Sequence, residues 1–160
     1  MPEVNEPAPP WSPAGRPGGL QLRPDGRPAG RPFVDTNVLL YLISADDAKA
    51  ERAEQVLAGR IVISVQVLNE FANVARRKHS LAWDELQQVL DGICSFCEVL
   101  DISRATHQRG LALARRYQLS VVDAMIAAAA LDAGCDCLLS EDFQTGLRID
   151  GQLTVVNPFL

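Results

Sequence analysis

The sequence predicts an α/β fold: a layered sandwich in which helices flank a mostly parallel sheet of about five short strands. Three observations carry this. Short apolar runs recur at residues 32–35, 61–63, 98–102, 137–140 and 153–156. Between them lie longer segments whose apolar residues repeat at helical spacing. The two kinds of segment alternate, which is the pattern of β-α-β units and not of hairpins.

Taken in order, Pro32–Asp35 reads as a short buried strand, and residues 37–43 as a helix entered at once. A second helix runs from about Ala45 to Ala58, with Ala50, Ala53, Val56 and Leu57 on one side, and Gly59 stops it. Ile61–Ile63 is the next strand, and Ser64 is a natural N-cap for a helix reaching about Lys78. A further helix spans Ala82 to about Phe96, where Asp84 and Glu85 complement the dipole in the first turn. Glu98–Ile102 is a strand, and Ser103 caps a helix to about Tyr117. Val121–Ala133 forms a helix ended by Gly134, and Cys137–Ser140 and Leu153–Val156 are the last strands.

Composition divides the chain of 160 residues in two. Nine of its ten prolines and five of its eleven glycines fall within the first 32 residues. Residues 1–31 show no helical or alternating pattern, and their Arg-Pro steps favour extended, solvated chain. They read as a disordered Pro/Gly/Arg-rich extension, or as the product of a start codon set too far upstream, and residues 32–160 as one domain. No apolar stretch follows a charged start as in a signal peptide, and the longest apolar run, Ala124–Leu131, is too short to span a bilayer. The expectation is a cytoplasmic protein with no membrane partner.

Charge divides in the same way. The first 32 residues carry four arginines against three acids, which leaves the remainder with 11 basic and 17 acidic groups. A body at −6 repels nucleic acid unless basic patches or bound cations intervene. Cys94, Cys97, Cys135 and Cys137 have C-x-x-C and C-x-C spacings, but their apolar neighbours favour small buried hydrophobes over a zinc site. His79 and His107 sit in no G-x-S-x-G or H-E-x-x-H frame, and no Gly-rich phosphate loop is present. These absences argue against triad hydrolases, zinc proteases and P-loop enzymes.

Four carboxylates stand where carboxylates are costly. Asp35 ends the first strand and Asp142 follows the fourth, at the strand edge where ligands sit in open α/β sheets. Alone, the first reads equally as a helix cap and the second as a turn residue. Glu70 follows Val67 by three and precedes Val74 by four, on the border of a core-facing stripe. Asp123 lies among Val122, Ile126, Ala127 and Ala130, in a helix without a basic residue. Salt bridges to Arg76, Arg77 or Arg116 are the structural alternative for these two. If the four converge, a divalent cation is the simplest way to keep them ionised. Oxygen-only ligands select Mg²⁺ or Mn²⁺, and such a site suits phosphodiester hydrolysis.

Four segments, FVDTNVLLY (33–41), VLNEF (67–71), LSVVDAMIAAA (119–129) and LLSEDFQTG (138–146), resemble in order the signature segments of PIN-domain ribonucleases. The likeness is strongest to the toxins of bacterial VapBC-type toxin–antitoxin pairs and covers about residues 32–160. The resemblance implies a PIN-like three-layer sandwich with Asp35, Glu70, Asp123 and Asp142 as the catalytic, metal-binding quartet. It implies that Asn37 steadies the first aspartate, with Thr36 and Ser140 at the small polar positions beside the acids. It further implies a Mg²⁺- or Mn²⁺-dependent endoribonuclease acting on single-stranded or looped RNA, a homodimer, and silencing by a small VapB-like antitoxin. The proline-rich extension departs from that family. Arg76, Arg77, Lys78, Arg115 and Arg116 are candidate RNA-backbone contacts, against the plainer role of complementing helix C-termini. The competing reading is a catalytically silent PIN-like module that binds a protein partner through its acidic pocket.

Overall fold

A computed structural model describes residues 29–160. Most of the proposed extension lies outside those residues; Arg31, within them, is tied to the body. Its backbone N–H donates to Asp136 (3.1 Å), and its guanidinium donates to the Ala133 carbonyl (3.1 Å) and to Glu98 (2.9 Å).

The strands are β1 (Pro32–Val34), β2 (Ile61–Ser64), β3 (Cys97–Leu100), β4 (Cys137–Leu139), β5 (Arg148–Ile149) and β6 (Leu153–Val156). They form one sheet in the order β3-β2-β1-β4-β6-β5, parallel throughout except where β5 pairs antiparallel with β6. The sheet therefore has six strands where the sequence suggested about five. The additional one, β5, is a two-residue edge strand too short to leave a periodic signal.

Six helices connect and cover the strands: α1 (Thr36–Leu40), α2 (Asp47–Leu57), α3 (Val65–Lys78), α4 (Trp83–Phe96), α5 (Arg104–Tyr117) and α6 (Val121–Asp132). The helix expected over 37–43 is divided, because after five residues it tightens into a 3₁₀ turn at Tyr41–Ile43. Ser103 and Ser120 cap α5 and α6 by accepting from the Thr106 and Asp123 amides. Ser64 occupies the cap position of α3 but makes no capping bond. Its hydroxyl is fully buried without a hydrogen-bond partner.

α6 organises the core. Ala124 to Leu131 are buried without interruption, and the helix packs on α5, α3 and strands β2, β4 and β6. Five alanines in that run let backbone approach backbone. Gly110 on α5 permits the same closeness, since a Cβ there would lie 2.6 Å from Met125 Sδ. Phe33, Phe71, Leu39, Ile63, Leu138 and Leu139 fill the space between helices and sheet. Burying each large side chain contributes about 1.5–3 kcal/mol.

Chain order reverses at β1, which has β2 on one side and β4 on the other. In open parallel sheets a crevice forms beyond the carboxyl ends of strands at such a switch point. The pairing of Val34 with Leu139 sets what lines it, because Asp35 and Ser140 follow these residues directly.

Candidate active site

Asp35 is the structural centre. It is 4% exposed, and its backbone N–H donates to the Leu139 carbonyl at 2.9 Å. One carboxylate oxygen accepts from the Thr36 amide at 2.6 Å, which makes Asp35 the N-cap of α1. The other accepts from the Ser140 hydroxyl at 2.7 Å and from the Asn37 side-chain amide at 3.0 Å. Asp35 is therefore the helix cap that the sequence allowed, and its second oxygen ties it to Ser140 and Asn37.

Ser140 joins the two strand ends. Besides donating to Asp35, its oxygen accepts from the backbone amides of Asp142 (3.1 Å) and Phe143 (3.3 Å) and from Asn37 Nδ2 (3.2 Å). Asn37 Oδ1 accepts from the Glu141 amide at 3.2 Å. The turn bearing Asp142 is thus bound to the helix start bearing Asp35.

α3 delivers Glu70, half-buried, whose carboxylate accepts from Thr36 Oγ1 at 2.9 Å. Asp123 stands in the first turn of α6 and is half-buried, while Asp142 is exposed. Asp123 is less enclosed than its apolar helix suggested, because it lies at the open end of that helix. Among the described residues neither Glu70 nor Asp123 forms an ion pair. Both therefore lack the salt bridge that would have explained them structurally.

Electrostatics links some of these groups. Burial pushes the Asp35 carboxyl up to about 7; the bonds from Ser140 and Thr36 oppose this, and the charges of Asp123 and Glu70 add to it. Glu70 is also raised, first by burial, then by Asp123 and Asp142, against the Thr36 bond. The charge of Asp123 thus bears on both Asp35, just after β1, and Glu70 on α3, and that of Asp142 bears on Glu70.

Oxygen donors with this excess of negative charge suit a hard divalent cation, which would offset the repulsion raising Asp35 and Glu70. Among the described residues no group of three or more His, Cys, Asp or Glu side chains is close enough to hold an ion unaided.

The basic candidates divide. Arg116 pairs with Asp150 at 2.8 Å and belongs to a surface network with Arg109 and Tyr117. Arg115, Arg77 and Lys78 are exposed, and Arg76 donates to the Leu81 carbonyl. One neighbouring cluster escaped the sequence reading. Glu141, beside Asp142, accepts from both Tyr41 and Lys49, and Lys49 in turn donates to Tyr41. Lys49 holds Glu141 below the usual carboxylate range. Only the adjacency of Glu141 to Asp142 could have signalled it.

Residues 33–145 match the family model described as PIN domain. Among solved structures, a toxin–antitoxin complex from Klebsiella pneumoniae aligns with a TM-score of 0.61 and 26% identity, covering 79% of this chain and 96% of that one. A DNA-bound VapBC from Salmonella typhimurium aligns at 0.58 and 23%, covering 79% and 97%. The Mycobacterium tuberculosis toxin VapC20, described as cleaving the sarcin-ricin loop, aligns at 0.56 and 19%, covering 69% and 91%. No curated protein matches the chain significantly.

Proposed function

Because the chain belongs to the PIN domain family, we propose that it is a metal-dependent endoribonuclease that hydrolyses phosphodiester bonds in single-stranded or looped RNA. The observation that carries this reading is the hydrogen-bonded frame at the strand ends: Thr36 donates to both Asp35 and Glu70, Ser140 bonds both Asp35 and the Asp142 amide, and the charge of Asp123 bears on Asp35 and Glu70. These are the residues that would hold Mg²⁺ or Mn²⁺. When bound, such an ion supplies a hydroxide-like nucleophile and stabilises charge on the phosphate.

The chain's own residues do the rest. Thr36, Asn37 and Ser140 fix Asp35 in one orientation by three hydrogen bonds. Thr36 aligns Glu70 by a fourth. Burial raises the Asp35 carboxyl to about 7, so a bound cation would favour its ionised form.

The likeness to the toxin–antitoxin complex from Klebsiella pneumoniae supports reading the chain as a toxin restrained by an antitoxin; that the antitoxin is small and VapB-like and that the toxin acts in the cytoplasm are parts of the same proposal. Among the described residues no helix is long and apolar enough to cross a membrane. Leu111, Val121 and Val122, exposed on α5 and α6, are apolar surface that the second subunit of a homodimer would cover.

The test is cleavage of unstructured RNA with Mg²⁺ or Mn²⁺ by the wild type, Asp35→Asn and Asp123→Asn. Cleavage by the wild type alone, with all three proteins folded, is the expected result. Undiminished cleavage in both variants would refute the assignment.

A further inference from the structure

α3 carries a catalytic candidate near its middle and a cationic cluster at its C-terminal end. Arg77 follows Glu70 by seven residues, close to two full turns, so the two share a side of the helix about 10 Å apart along its axis. Arg76, Arg77, Lys78 and His79 are all exposed, and among the described residues no carboxylate pairs with them. The nearest acids in sequence are Asp84 and Glu85 of α4's first turn, and Glu85 is engaged by the Ala82 amide.

Helix-dipole complementation accounts for the cations, but not for the aromatic beside them. Trp83 is 69% exposed, although an indole loses more by contact with water than almost any side chain. The Arg76 guanidinium lies 4.3 Å from the centre of its ring and covers one face. The rest of the ring is open. Arg76 also donates to the Leu81 carbonyl, so the stacked pair is held in place on the α3–α4 connection. An open aromatic face, a stacked guanidinium and two unpaired cations are the elements that bind single-stranded nucleic acid: bases stack, phosphates take the charges.

We infer that the α3–α4 corner is a strand-binding subsite, in which Trp83 stacks on an unpaired base of the RNA and Arg77 and Lys78 hold flanking phosphates. The stripe from Glu70 to Arg77 then carries the strand from the acidic crevice to the corner, a reach that a few nucleotides cover. This rests on the ribonuclease reading of the crevice and adds to it where the substrate is gripped. It also favours single strands, since a duplex offers no free base face to Trp83.

The chain has two tryptophans, Trp11 and Trp83, so a Trp11→Phe background leaves Trp83 as the one indole reporter. A short unstructured RNA oligonucleotide is titrated into that protein carrying Asp123→Asn, so that RNA is bound and not cut. The expected result is quenching of Trp83 fluorescence. In the cleavage-competent protein, Trp83→Ala is expected to weaken RNA binding and raise KM about ten-fold with kcat unchanged, and Trp83→Phe to restore most of the loss. Arg77→Ala is expected to lower the slope of log affinity against log salt by about 0.7. The substitutions are on the surface, and equal urea midpoints check that folding is intact; if Trp83→Ala misfolds, the quenching and the Trp83→Phe protein decide. Absence of quenching, or equal KM in Trp83→Ala while the wild type cuts RNA, overturns the subsite and leaves the nuclease standing. Equal quenching by duplex RNA or by polyglutamate also overturns it. A wild type that neither binds nor cuts RNA with Mg²⁺ or Mn²⁺ refutes both readings.

Discussion

Replacing Asp35 with asparagine should change stability in a way that depends on pH, and the structure gives both sides of the balance. Burial holds the Asp35 carboxyl up to about 7, against 3.8 for an unburied aspartate. The native state therefore keeps a proton that the unfolded chain has already lost. By linkage, stability contributed by this group is complete below the unfolded value and drains away as pH rises toward the folded one. At about 1.4 kcal/mol per pH unit, the loss reaches about 4.3 kcal/mol by pH 8, and about 2.6 kcal/mol of it falls between pH 5 and pH 8. Asparagine carries no such penalty. It has a cost of its own, because its amide would face the Ser140 and Asn37 donors that now bond to the carboxylate. A mismatch of this kind costs about 1–3 kcal/mol and does not vary with pH. The variant should be near parity or below the wild type at pH 5 and more stable by about 1–3 kcal/mol at pH 8. Urea unfolding of both proteins in EDTA, at four pH values across this range, measures the difference. A difference that stays flat from pH 5 to pH 8 would refute the argument, whatever its sign.

Three further outcomes follow from the same geometry. Mn²⁺ at a hundred times its dissociation constant should stabilise the wild type at pH 8 by about 2.7 kcal/mol and leave Asp35→Asn nearly unmoved, which thermal melts in Mn²⁺ and in EDTA will read. Ser140→Ala removes the donor to Asp35 and the acceptor for the Asp142 and Phe143 amides. It should cost about 1–3 kcal/mol in urea unfolding and reduce RNA cleavage, since the turn bearing Asp142 is released from Asp35. Gln118 caps α5 in the left-handed region at φ 56°, where glycine fits without a Cβ clash. Gln118→Gly should therefore raise stability by about 0.5–1 kcal/mol with cleavage unchanged.

How far the sequence could be read depends on the range of each interaction. Local signals transferred well: the Ser103 cap, the halt of α6 before Gly134 and the apolar strands all depend on neighbours within a few residues. β5 did not, because two residues cannot express a period, and it exists only through its pairing with β6. Ser64 has the right residue type and position for a cap, yet its buried hydroxyl makes no bond to the α3 amides. The four acids were legible as oddities of placement, but what supports them was less so. The Thr36–Glu70 bond spans 34 residues of sequence, and the Ser140–Asp35 bond 105. No spacing rule reaches across such distances. The first bond follows from the pairing of β1 with β2, which brings α3 beside α1, and the second from the β1–β4 register; both are properties of the sheet and not of any one segment.

The acidic balance of the body, which alone argues against RNA, changes meaning once the charges are located. Several of its acids are matched within the fold: Glu98 by Arg31, Glu141 by Lys49, and Asp132 and Asp150 by Arg109 and Arg116. Those ion pairs fall away from the crevice or at its margin, and they contribute little to a field felt at a distance. The other acids form no ion pair among the described residues, and α3 is itself polarised, with Glu70 near its middle and Arg76, Arg77 and Lys78 at its end, none of them ion-paired among those residues. A polyanion approaching the bare protein is repelled at the first and attracted at the second. A divalent ion reverses only the repulsion. Net charge therefore cannot predict affinity here, and the requirement for a cation should appear as strongly in RNA binding near Glu70 as in catalysis, while contacts at Trp83 and Arg77 persist without it.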